Sequence, residues 1–161
     1  MAEQDPYTRK LVTTNYYADK SILSARVVAV LRGELENRNL ELIPQPSRVV
    51  KQGEIHELIV TDEESSPGKK VQRIAYVAFV EFLSGGVLLS EDLVFAGNRL
   101  LGSIAGYDMA HFPNHMNIVI NGERLSGEES GVTVGTPVFF TLKKNTDPNN
   151  GKPQQNKGGP V

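Results

Sequence analysis

The sequence predicts an all-β fold: a small closed β-barrel of short antiparallel strands with Gly/Pro-rich turns and little or no helix. Three observations carry that reading. The 15 glycines and 9 prolines recur between short apolar runs instead of bounding long amphipathic ones. The strongest run, V-Q-R-I-A-Y-V-A-F-V-E-F at residues 71–82, is nearly continuously apolar through its middle, as in a strand covered on both faces. No segment makes a convincing long helix, and many short strands with frequent turns indicate a barrel or sandwich.

Taken in order, residues 10–17 (K-L-V-T-T-N-Y-Y) are rich in strand formers. Residues 21–35 offer Ile22, Ala25, Ala29 and Val30 near helical spacing, but the β-branched Val27, Val28 and Val30 favour a strand. Residues 54–61 (E-I-H-E-L-I-V-T) alternate at first and end in a buried-looking run. The Ser65-Ser66-Pro67-Gly68 stretch marks a turn, followed by Lys69, Lys70 and Arg73 at the solvated end of a hairpin. Further short strands are expected at 92–95, 100–104, 116–120 and 137–143. Pro137 is acceptable as a first strand residue, where its missing N–H breaks no ladder bond.

A length of 161 residues suggests a single domain. We expect a loose N-terminus at 1–6, one barrel domain at 7–144 and a disordered polar tail at 145–161, where only the terminal Val161 is apolar. Apolar residues make up 39% and charged residues 22%, an ordinary soluble composition. The net charge of −2 is spread without the concentrated basic footprint that nucleic acid requires, so no nucleic-acid partner is expected. No apolar run approaches the roughly 18 residues of a membrane span. A start without a secretory pattern and a chain with no cysteine lead us to expect a cytoplasmic protein.

Residues 100–108 (L-L-G-S-I-A-G-Y-D) are followed by Phe112-Pro113, then by Ile118-Val119-Ile120 and by G-V-T-V-G-T-P-V-F-F at 131–140. This order resembles the C-terminal half of the glucitol/sorbitol-specific A component of the bacterial sugar phosphotransferase system, over residues 85–143. The resemblance implies a small closed β-barrel. That family passes a phosphoryl group through a histidine on the strand before the glycine-rich turn. The matching stretch here, 76–82, reads Y-V-A-F-V-E-F and has no nucleophilic imidazole, which argues against the family's activity.

The candidate site is Y-D-M-A-H-F-P-N-H-M-N at residues 107–117, which holds two of the chain's three histidines. Asp108, His111, Asn114, His115 and Asn117 are its candidate ligand-binding residues. A metal would need at least three converging ligands, for which His56, His111 and His115 are the possible set. In an extended chain His111 and His115 stand about 13 Å apart. Pro113 keeps Phe112 out of a helix. A β-turn with Pro113 at its second position would send the two imidazoles to opposite sides of the ribbon. Glu91-Asp92 and 62–64 read as solvated turn and loop. No serine elbow, Walker or Rossmann glycine pattern is present.

The expected function is therefore non-catalytic: binding of a small molecule, or self-association, by a β-barrel with no cofactor. The alternative is a metal-assisted or acid–base enzyme built on Asp108, His111 and His115, with a divalent metal and His56 as a fourth member. A phosphotransferase-system role ranks below both.

Overall fold

The computed structural model describes residues 16–143. Their strands are β1 (Leu23–Val30), β2 (Glu34–Leu35), β3 (Leu40–Glu41), β4 (Ser47–Val50), β5 (Ile55–Thr61), β6 (Lys70–Val71), β7 (Ile74–Phe82), β8 (Gly86–Leu89), β9 (Leu93–Ala96), β10 (Arg99–Asp108), β11 (Asn117–Gly122) and β12 (Pro137–Thr141). One four-residue helix, α1 (Gly127–Ser130), carries a Ser126/Glu129 capping box. The expected strand at 10–17 and both terminal segments lie outside the described residues, apart from Tyr16 and Tyr17, which are not in a strand.

The sheet runs β1-β12-β9-β10-β11-β5-β7 and closes through a β1–β7 pairing, so seven strands form a barrel. All the barrel pairings are antiparallel except β5–β11, which is parallel. The all-antiparallel expectation is corrected at that one seam. A parallel pair needs a long crossover rather than a hairpin, and 55 residues, 62–116, separate β5 from β11. β10 also runs longer than its expected 100–104. It bends at two bulges, after Leu100 and after Ile104, which let one long strand follow the barrel wall.

Side chains divide by the strand period of two. Leu58 and Val60 of β5 and Ile118 and Ile120 of β11 fill the interior with Val80, Phe82, Ile104, Tyr107 and Phe140. Ile59 and Val119, one residue out of step, face outward and are equally buried. They are covered because the chain leaves the barrel after β1. β2 adds to the end of β7, β3 pairs with β6, and Leu42 bridges to Asp108. Leu40, Leu42, Val71, Ile74 and Ala105 complete this second core. Coverage on both faces is why these strands read as unbroken apolar runs.

β4 and β8 form a separate two-stranded ribbon. Neither strand was expected from the sequence. The solvated reading of Glu91-Asp92 is half corrected: Glu91 is exposed, but Asp92 is buried and ion-paired to Lys20 at 2.8 Å.

Candidate functional site

β10 ends at Asp108 and β11 begins at Asn117, so the connection between them carries both histidines. Its Phe112–Pro113 peptide is cis. The His111 carbonyl accepts from the Asn114 N–H at 2.9 Å and from the His115 N–H at 3.2 Å. Pro113 therefore occupies the third turn position, a type VI arrangement, rather than the second. The expected divergence of the imidazoles is overturned. The second of those bonds closes a helix-like turn from 111 to 115, and the rings stack at 5.2 Å with 28° between planes.

Asp108 anchors this connection. Its Oδ1 accepts from the Ala110 N–H at 3.0 Å and the Asn117 amide at 3.2 Å, and its Oδ2 from the Glu41 N–H at 2.9 Å. The carboxylate is buried and its oxygens are occupied by the fold, so Asp108 is a brace between three segments and not a reacting group.

His115 lies beneath. Asn114 Nδ2 stands 2.7 Å from its Nδ1, and an amide nitrogen can only donate, which puts the ring proton on Nε2. That atom faces Glu57 Oε1 at 3.3 Å, near enough for an ion pair but out of line for a hydrogen bond. Glu57 pairs across the sheet with Asn117 on one side and Phe79 on the other. Phe79 meets the His115 ring edge-on at 5.0 Å. Glu57 and His115 are thus the floor of the site, 8% and 9% exposed. Asn117 Oδ1, in the same floor, is buried without a well-aligned partner among the described residues.

The rim is wetter. Arg38 donates from Nε to the Tyr76 hydroxyl at 3.1 Å, and its Nη2 lies 3.3 Å from His111 Nε2. A guanidinium only donates, so His111 Nε2 accepts and the His111 proton sits on Nδ1.

The electrostatics of the floor follow from burial. Desolvation pushes the Glu57 carboxyl up, against the opposing charges of His111, when protonated, and Arg38. Desolvation, followed by the charge His111 carries when protonated, holds the His115 imidazole below its ordinary value, while the neighbouring Asn117 side chain pulls the other way. The proton affinities of this acid and this base are moved toward each other.

His56 belongs to another face. It points into the barrel beside Phe82. Its Nδ1 accepts the Met116 N–H at 3.0 Å, and its Nε2 donates to Glu54 at 2.7 Å. Burial pushes Glu54 up, but hydrogen bonds from His56 and the Lys51 amide, with the charges of both residues, outweigh it and leave the carboxyl below its usual range. His56 is a pin for the end of the connection. The convergence of His56, His111 and His115 that a metal site would need does not occur. Among the described residues no group of three His, Asp or Glu is arranged to hold a metal ion.

Of the candidate residues, the structure thus gathers His111, Asn114, His115 and Asn117, with Asp108 behind them. Glu57, Arg38 and Tyr76 were missed as site residues. A carboxylate inside the strongly apolar run of β5 was the available signal for Glu57. Arg38 and Tyr76 had none, because only the excursion of the chain after β1 carries Arg38 to this face. A depression of about 460 Å³ elsewhere is lined by Thr61, Ser103, Asn121 and three carboxylates. Two of those have structural employment: Asp62 pairs with Arg73 at 2.8 Å, and Glu63 accepts the Gln72 and Arg73 backbone N–H groups.

Residues 17–141 match the model of a family of unknown function, DUF6917, and the chain belongs to that family. No curated protein and no solved structure matches it.

Proposed function

We propose that this family member binds a small anionic ligand on the outer face of its barrel, at the site formed by Glu57, His115, His111 and Arg38. One observation carries the proposal. Arg38 makes no ion pair with a carboxylate among the described residues, yet it is held in place by Tyr76 and His111 above a buried polar floor. An oriented guanidinium without a carboxylate is suited to a carboxylate or phosphate guest. The floor supplies His115 Nε2–H as a donor and Asn117 Oδ1 as an acceptor, two buried groups that lack aligned partners among the described residues. A phosphoryl-relay role is disfavoured by the absence of histidine from residues 76–82.

The test is an NMR titration with acetate and with inorganic phosphate, following the imidazole resonances of His111 and His115. Saturable movement of both, lost in Arg38→Met, is the expected outcome. Imidazoles that ignore both probes would refute the reading.

The converging proton affinities of Glu57 and His115 favour a second reading, acid–base chemistry on the bound acid. Solvent deuterium entering the carbon next to the carboxylate of a bound acid, at a rate lost in Glu57→Gln, would support it. Binding without any exchange would exclude it for that acid.

A further inference from the structure

A second polar cluster lies inside the fold, beneath the β4–β8 ribbon, and the outer-face site makes no use of it. Arg48 of β4 is the cross-strand partner of Leu88, which is fully buried, whereas its neighbour Val49 is 71% exposed. Cross-strand partners share a face, so Arg48 points from the ribbon toward the barrel core. Asp92, from the turn between β8 and β9, is 1% exposed. Its Oδ2 accepts the Leu89 N–H at 3.0 Å and faces Lys20 Nζ at 2.8 Å. Tyr107 contributes a fully buried phenol from β10. Desolvation above all, with the Asp92 charge opposed by that of Arg48, drives this phenol well above its ordinary range, so it stays a hydroxyl donor.

The hydrogen bonds of the cluster do not close. Among the described residues, Asp92 Oδ1 and Arg48 Nε are buried without a hydrogen-bond partner, and Lys20 Nζ meets Asp92 only as an ion pair, off the hydrogen-bond line. Among the described residues the Tyr107 hydroxyl reaches the Pro46 carbonyl, at 3.5 Å, which is too long for an O–H···O bond, and that carbonyl already takes the Ser90 N–H at 2.6 Å. The charges do not close either. Lys20 faces the carboxylate of Asp92, the charges of Asp92 and Arg48 both act on the Tyr107 phenol, and Arg48 has no carboxylate ion pair among the described residues. Its guanidinium instead lies 5.6 Å from the ring centroid of Phe112, itself half exposed, so the cluster reaches the surface there.

Native interiors rarely leave so many polar groups unmet in one place, and such groups ask for an explanation. We propose that this cluster binds a small oxyanion that also carries a hydroxyl group, a hydroxy acid or a protonated phosphate. Arg48, Lys20 and Tyr107 donate to its anionic oxygens, and Asp92 Oδ1 accepts from its hydroxyl. The three donors demand an anion; the one acceptor selects against an anion without a hydroxyl. Acetate would satisfy the first requirement and leave Asp92 Oδ1 orphaned.

Titration calorimetry on the full chain with inorganic phosphate, glycolate and acetate tests this. Saturable binding of phosphate or glycolate is expected, with glycolate preferred over acetate by about ten-fold, the usual effect of one buried hydrogen bond. Phosphate tighter than glycolate assigns a phosphate-bearing ligand, and the reverse order a hydroxy acid. Arg48→Met is expected to weaken the tighter probe by about ten-fold or more. Asp92→Asn removes the preference of glycolate over acetate. Because Arg38→Met removes the outer-face site, all of these titrations are made in the Arg38→Met background, where any saturable binding, the glycolate preference and the dependence on Arg48 belong to this cluster alone. Should Arg48→Met fail to fold, the chain with Arg48 intact still decides, because the Arg48 Nε–H resonance must move as the tighter probe saturates. The proposal is overturned by no saturable binding of any probe, by undiminished binding in a folded Arg48→Met, or by an Arg48 Nε–H resonance that stays still.

Discussion

Replacing Asp108 with alanine separates a bracing role from a chemical one. The side chain accepts from the Glu41 and Ala110 backbone N–H groups and from the Asn117 amide. Asn117 is 0% exposed, so its abandoned amide bears the full penalty of a buried unmet donor, about 1–3 kcal/mol. Glu41 and Ala110 are exposed residues whose N–H groups can turn to water, and roughly 0.5–1.5 kcal/mol each is appropriate. The sum is about 2–6 kcal/mol, a large share of the roughly 5–15 kcal/mol that holds a domain folded. With a urea slope of about 1–3 kcal/mol per molar, the denaturation midpoint should fall by roughly 2 M. The assay is urea unfolding followed by circular dichroism, paired with the spectrum of the His111 and His115 rings in the folded variant. Loss of their stacked environment is expected, because Asp108 ties the first residues of the connection to Asn117. A loss of less than about 0.5 kcal/mol, the level of an ordinary surface substitution, would refute the reasoning.

Other consequences follow from the same geometry. His111→Ala should raise the pKa of His115, since the charge of His111 depresses it, yet leave it below the ordinary imidazole value because burial is the larger cause; an NMR titration showing no rise would contradict this. The folded chain favours neutral His115, so stability from this residue grows as pH rises from its lowered value to the ordinary one. Glu57 has the opposite sign, with stability falling as pH rises from its ordinary to its raised value, and Glu57→Gln should melt no lower than the parent above that window. Gly102→Ala would set a Cβ 1.9 Å from the Asn121 carbonyl oxygen at a φ of +146°, and should cost at least about 2 kcal/mol in chemical denaturation; a neutral result would mean β10 and β11 are not so close. Ile59→Ala should cost about 2–5 kcal/mol although Ile59 faces away from the barrel interior, and a surface-sized loss would show that the second core does not cover it.

The sequence by itself determined the class of fold. The apolar runs at 54–61 and 71–82 became β5 and β7, the valines at 27 to 30 became β1, and Pro137 opened β12 as a strand's first residue. These are local matters, set by the period of two and by which residues suit a pleated surface. The site was legible only as an address. Residues 107–117 named His111, Asn114, His115 and Asn117, but turn geometry inferred from Pro113 placed the imidazoles on opposite sides, and two bonds to one carbonyl stack them instead. Everything that gives those imidazoles a chemical setting came from far along the chain. Glu57 arrives through the parallel β5–β11 seam, and Arg38 through the excursion after β1. Asp92, a solvated turn by its neighbours, is buried against Lys20 for the same reason. A short window of sequence records a residue's propensity and its polarity. Which charges meet, and how little water lies between them, is decided by chain closure over tens of residues.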